Sequence, residues 1–130
     1  MYSAVTRDIR VTVRPQFIPD KSAPADAYFF WAYTIEIANR SADTVQIKTR
    51  HWRITDALGR VQEVKGPGVV GEEPVIAPGE SFEYTSGVPL TTSSGFMAGS
   101  YGMVSDEGER FEIEIPPFSL DAQDRPRILN

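Results

Sequence analysis

The sequence predicts an all-β protein: an antiparallel β-sandwich of the immunoglobulin or fibronectin III kind, with about seven to nine strands. Three observations predict it. Ten Gly and ten Pro punctuate 130 residues and fall between short apolar stretches. Within those stretches apolar and polar residues alternate with the period of a half-buried strand. No segment carries the 3.6-residue periodicity of a helix long enough to connect parallel strands. Closure into a small barrel is the alternative architecture.

Ile9, Val11 and Val13 alternate with Arg10, Thr12 and Arg14, which makes a first strand that Pro15 is expected to end. Residues 17–27 contain Pro19 and Pro24 and read as a long loop. Phe29, Trp31, Tyr33, Ile35 and Ile37 then share one face of a strand over 28–39, and Asn39 to Asp43 makes a turn. Val45 and Ile47 are out of phase with Trp52 and Ile54. An extra residue near Lys48–His51, a β-bulge, would bring all four onto the core side. Asp56 to Gly59 turns the chain into a short strand from Val61 to Val64. Ala77-Pro78-Gly79-Glu80 has the Pro and Gly placement of a type II turn, and Phe82 and Tyr84 alternate with polar neighbours after it. Residues 86–99, rich in Ser, Thr and Gly, read as a second long irregular stretch. Tyr101 and Met103 lie on a late strand, with Tyr101 in a setting like a tyrosine corner, where the hydroxyl ties back to upstream backbone. Phe111, Ile113 and Ile115 form the last strand. Pro116-Pro117 is expected to end it, and the polar tail 121–130 to fray. One domain over 1–130 accounts for this length.

Apolar residues are 41% and charged residues 24% of the chain, the balance of a globular domain. The longest apolar run, Tyr28 to Tyr33, is far short of the roughly 20 residues that span a membrane. The opening MYSAVTRDIR has no apolar stretch of the kind a secretory leader needs, so a cytoplasmic protein is expected. The net charge is −5, with nine Arg/Lys and six Asp/Glu in residues 1–60 but four and twelve in residues 61–130. An acidic chain lacks the basic footprint that non-specific nucleic-acid binding requires.

The residue inventory removes most catalytic chemistries. There is no cysteine, so thiol nucleophiles, disulfides and thiolate metal sites are out. His51 is the single histidine, which excludes a zinc site built from several His. A triad could use only His51, and no GxSxG elbow is present. Hard cations could still take oxygen ligands from Asp56, Glu63, Glu72, Glu73, Asp106 or Glu107, though no EF-hand spacing exists. Neither an enzyme nor a resident cofactor is expected.

Two segments stand out as binding candidates. Gly66-Pro67-Gly68-Val69-Val70-Gly71 matches GxGxxG, with Gly66, Gly68 and Gly71 at the glycine positions. In a dinucleotide-binding fold such glycines precede a helix whose N-terminus receives the pyrophosphate. Here Glu72-Glu73-Pro74 follows instead, and two carboxylates repel a phosphate. A bend between edge strands is the better reading. Lys48 to Arg53 is the one dense basic segment. If a nucleotide binds, Arg50, His51 and Arg53 would have to supply the charge. Strand geometry separates Arg50 and Trp52 from His51 and Arg53, unless the bulge rotates them, and Trp52 belongs in the core.

Taken together, YTIEIANRS (33–41), VQIKTRHWRITD (45–56), EVKGPGVVG (63–71), IAPGESFEYTSG (76–87), GFMAGSY (95–101) and FEIEIPPFSL (111–120) resemble the bacterial ApaG family, also called CorD. Glu73 stands where that pattern has Gln, and Ser93 lies in a segment that often carries a proline. The resemblance implies a fibronectin III-like sandwich. It also implies an association with cobalt tolerance and magnesium efflux, and a domain reused in eukaryotic F-box proteins and in a DNA polymerase delta-interacting protein. Such reuse suits a binding module with a protein partner. The surface expected to carry it comprises residues 66–74 and 86–99, since loops on a rigid scaffold commonly carry recognition. A nucleotide- or pyrophosphate-binding protein and a weak divalent-cation binder are the alternatives.

Overall fold

The structure is a computed structural model that describes residues 1–122. Its strands are β1 (Tyr2–Thr6), β2 (Ile9–Phe17), β3 (Phe29–Asn39), β4 (Val45–Asp56), β5 (Val61–Pro67), β6 (Val75–Ile76), β7 (Ser81–Leu90), β8 (Ser94–Ser105) and β9 (Arg110–Asp121). Two antiparallel sheets form, in the orders β1-β2-β3-β7 and β5-β4-β8-β9, with β6 also pairing with β4. The β-sandwich is therefore as expected.

The alternating apolar residues of both sheets meet in one core. Trp31, Tyr33, Ile35, Ile37, Trp52 and Ile54 are all buried, together with Val11, Val13, Tyr101, Ile113, Ile115 and Phe118. Trp52 packs edge-on against Tyr33 and Phe118, with ring centroids 5.4 and 5.9 Å away. The phase fault in β4 is resolved by a register shift between Ile47 and Thr49 against β8. Lys48 is the extra residue, and Val45, Ile47, Trp52 and Ile54 all reach the core.

Asn39 ties the turns at one end together. Its buried side chain donates to the carbonyls of Asp43 (2.8 Å) and Ile76 (2.9 Å) and accepts from the Ser41 amide and hydroxyl. The Ala77–Glu80 turn has the expected closing bond from Glu80 N–H to Ala77 O, 2.9 Å, with Gly79 at φ +85°.

Several expectations are corrected. A strand over Tyr2–Thr6 precedes the first one read from the sequence. Pro15 does not end β2, which continues to Phe17 along β3. The pairing with β1 has stopped at Val13, so β2 is an edge there and a missing donor is tolerated. Pro116 and Pro117 likewise lie inside β9, at a second register shift on the edge of the other sheet. Residues 86–99 are not irregular: they lie in β7 and β8 except for a short turn between Leu90 and Ser94. Their Ser, Thr and Gly residues are part of the strand ladders, Gly87 opposite Ala32 and Gly99 opposite Trp52. Asp121 belongs to β9, and Ala122 donates to the Ser93 carbonyl at 2.9 Å, so the chain is still held at the start of the expected frayed tail. Residues 123–130 lie outside the described residues. The Tyr101 hydroxyl bonds the Tyr84 hydroxyl across the core rather than upstream backbone.

Candidate functional site

Strand β4 divides the basic segment between two faces. Arg50 has the parity of Trp52 and Ile54 and points between the sheets. His51 and Arg53 point outward. The bulge at Lys48 comes before them and does not bring them together. The six candidate residues Arg50, His51, Arg53, Gly66, Gly68 and Gly71 therefore split into an inner group around Arg50 and an outer group around His51.

The inner group is built around the half-buried Arg50 guanidinium. Arg50 pairs with Tyr101 on one side and Gly66 on the other. Its side chain lies over Gly66, where a Cβ would sit 3.1 Å from the guanidinium. Its Nη1 donates to the carbonyls of Pro67 (2.9 Å) and Gly68 (3.2 Å). Among the described residues no carboxylate pairs with it. The Arg50 charge also acts on three buried tyrosines, Tyr33, Tyr84 and Tyr101. Burial pushes all three phenols upward in pKa, above the ordinary value of 10.0, and the Arg50 charge opposes that shift only partly. All three are neutral hydroxyls at physiological pH. The sequence offered no sign of this cluster, because its members come from β3, β7 and β8.

The glycine-rich segment is a locked loop. Gly66 and Pro67 complete β5. Gly68 N–H donates to the Lys48 carbonyl at the bulge, 2.8 Å. Gly68 has φ +59°, and a Cβ there would collide with the Glu72 carbonyl. Val69 is fully buried and belongs to the hydrophobic core. Val69 and Glu72 then exchange both backbone hydrogen bonds, each 2.8 Å, around a tight turn at Val70-Gly71. Both turn residues have positive φ, +43° and +82°, the pattern of a type I′ turn. A β-branched residue is a steric outlier in that region. Val70 is half-exposed, and Val75 beyond it is more exposed still. The loop base is held by Lys48 Nζ on Glu73, 2.8 Å, and by Ile47 N–H on the Pro74 carbonyl, 3.0 Å.

This geometry bears on phosphate chemistry. The amides of Gly68, Val69 and Glu72 are already spent inside the protein, and Pro67 has none. Arg50 is turned to the loop carbonyls. A pyrophosphate cradle needs converging free donors, and these are engaged elsewhere.

On the outer face, His51 Nε2 and Glu63 Oε2 lie 2.7 Å apart. The His51 hydrogen bond holds the Glu63 carboxyl below its ordinary pKa, helped by the charges of Lys65 and Arg53. A shallow depression of about 280 Å³ lies further along this sheet, lined by Lys48, Thr49, Gly102, Val104, Arg110 and Glu112. Of the oxygen ligands considered for cations, Asp56 caps its own turn through Leu58 and Arg60, Glu63 serves His51, and Glu73 serves Lys48. Asp106 and Glu107 converge with Asp43, their oxygens within 4.8 Å of one another and all exposed. Exposed turn carboxylates gather in this way without a cation.

Residues 19–105 match the sequence profile described as the ApaG domain. The chain belongs to the ApaG family. It is 65% identical to Protein ApaG of Bradyrhizobium diazoefficiens over 130 residues, covering all of both chains. It is 64% identical over 122 residues to Protein ApaG of Rhodospirillum centenum, covering 94% of each. Among solved structures, the crystal structure of a Bordetella pertussis protein named ApaA superposes with a TM-score of 0.88 at 45% identity, over 94% of this chain and all of the other. The C-terminal domain of wzt shares the fold at a TM-score of 0.58 with 9% identity, over 99% of this chain and 81% of that one. ApaG-family membership thus agrees with the resemblance read from the motifs.

Proposed function

We propose that this ApaG-family protein is a non-catalytic binding module that docks a partner protein through the tip of the 66–74 loop. Val70 carries the reading. A β-branched residue held at φ +43° costs on the order of 1–3 kcal/mol, and such strain clusters at active sites, ligand clamps and switch regions. Asparagine or glycine would serve the turn at lower cost. The strained valine is also presented outward, half-exposed, on a loop pinned at Gly68, Val69, Glu73 and Pro74. A rigid apolar tip loses little entropy on binding. The reading extends to a cytoplasmic protein without a resident cofactor. Its effect on cobalt tolerance and magnesium efflux, implied by the family, would pass through the bound partner.

The test is capture from a native lysate with immobilised protein, wild type against Val70→Asn. The substitution relieves the strain, so the variant melts at the same temperature or higher, yet recovers less of the specific partner. Equal recovery by both forms, or no recovery above bare resin by the wild type, overturns the proposal.

A further inference from the structure

Strand β5 is one of the two edge strands of its sheet, β9 being the other. Asp56 N–H donates to the Arg60 carbonyl and Gly68 N–H to the Lys48 carbonyl. Even-numbered residues from 60 to 68 therefore turn their backbone groups to β4, and Val61, Glu63 and Lys65 turn theirs outward. Their side chains are exposed on the outer face, Val61 at 52%. The row ends at Pro67, which has no N–H and whose carbonyl is taken by Arg50. An open edge of this kind is a template for an added strand.

The side chains define what that strand must carry. It needs a cation opposite Glu63, an anion opposite Lys65, and uncharged residues opposite Val61 and Pro67. Read backwards, β5 is Pro67-Gly66-Lys65-Val64-Glu63-Gln62-Val61, which meets each requirement. We propose that the protein self-associates through β5, two copies pairing antiparallel about a two-fold axis at Val64. Glu63 of each copy then lies opposite Lys65 of the other, and the two exchange both backbone hydrogen bonds. The neighbouring registers place Glu63 on Glu63 or Lys65 on Lys65, which like-charge repulsion disfavours. The charge order thus selects one register and one occupant, a second copy of this chain. A single strand pair buries less than the roughly 1,200 Å² of a standard interface, so the association is weak and concentration-dependent. It is independent of partner docking at Val70, which lies beyond the paired segment.

Sedimentation equilibrium of the purified chain from about 10 μM to about 1 mM, bracketing weak affinities, reads this directly. The average mass rises from the 14.4 kDa of one chain toward twice that value. Glu63→Lys raises the dissociation constant roughly tenfold or more, since two attractive cross-strand pairs become repulsive. Glu63→Lys combined with Lys65→Glu restores association, because the reversed pairs are again complementary. The chain has no cysteine of its own, which permits a second test. In a non-hydrogen-bonded antiparallel pair the Cα atoms lie about 4.5 Å apart, within reach of a disulfide. Val64→Cys forms an interchain disulfide on mild oxidation, and Val61→Cys, opposite Pro67, does not. A wild-type mass that stays at one chain throughout, a double reversal that is folded but does not associate, or equal crosslinking at positions 61 and 64 overturns the proposal.

Discussion

Arg50 holds Gly68: its Nη1 donates to the Gly68 carbonyl at 3.2 Å and, in the same reach, to the Pro67 carbonyl at 2.9 Å. The basic strand and the glycine-rich loop, separate features in the sequence, are one latch. Hydrogen bonds from a charged donor contribute about 1.5–3 kcal/mol. Arg50→Ala should lower stability by about that amount in urea unfolding. Amide exchange at Val69 and Glu72 should accelerate more than exchange in β2 or β3. Exchange that accelerates equally everywhere would show that Arg50 does not act on the loop.

Trp52 is the aromatic centre of the inter-sheet core, touching Tyr33 and Phe118. Trp52→Ala should cost about 3–5 kcal/mol, the range for removing a large aromatic from a packed interior. The quantity to compare is the urea midpoint at constant slope. A change near zero is incompatible with the packing described.

Gly68 and Gly71 both have positive φ, yet they should not respond alike. At Gly71 a Cβ meets nothing within 4 Å, so Gly71→Ala costs only the left-handed backbone penalty of about 1–2 kcal/mol. At Gly68 the same penalty applies and the new Cβ strikes the Glu72 carbonyl. Gly68→Ala should therefore be the more destabilising by at least about 1 kcal/mol. Thermal melts of the two variants decide it, and a reversed order contradicts the turn geometry.

Glu63 adds a pH dependence. Its folded pKa lies below the ordinary 4.5 because His51 bonds the carboxylate. A lowered carboxyl pKa stabilises the fold above the unfolded value, and that contribution is lost as pH falls through the folded value. Melting temperature followed downward from pH 5 should fall less steeply for Glu63→Gln than for the wild type. Parallel acid limbs would mean that the pair does not form in solution.

The β class, the type II turn at Pro78-Gly79, the bulge near Lys48 and the burial of Trp52 were legible in sequence because each is local. Period-two alternation, a phase fault and a Pro-Gly pair report on their own few residues. The ends of β2 and β9 were not legible. Whether a proline stops a strand depends on whether a neighbour needs its N–H, and only the sheet order says that β2 is an edge at Pro15 and that β9 is an edge throughout. Residues 86–99 were misread for a related reason. Ser, Thr and Gly look like loop residues until a partner strand makes their backbone groups part of a ladder.

The candidate site divides along the same line. Sequence alone picked out Arg50, His51, Arg53, Gly66, Gly68 and Gly71, and strand parity already set Arg50 apart from His51 and Arg53. What Arg50 turns toward was a tertiary matter. Its carbonyl acceptors lie 17 and 18 residues away, and the tyrosines beneath it come from three strands. The carbonyl contacts follow from the pairing of β5 with β4, and the approach to Tyr33 and Tyr84 from how the two sheets stack. No local pattern encodes that stacking, because it is settled by the summed burial of both inner faces.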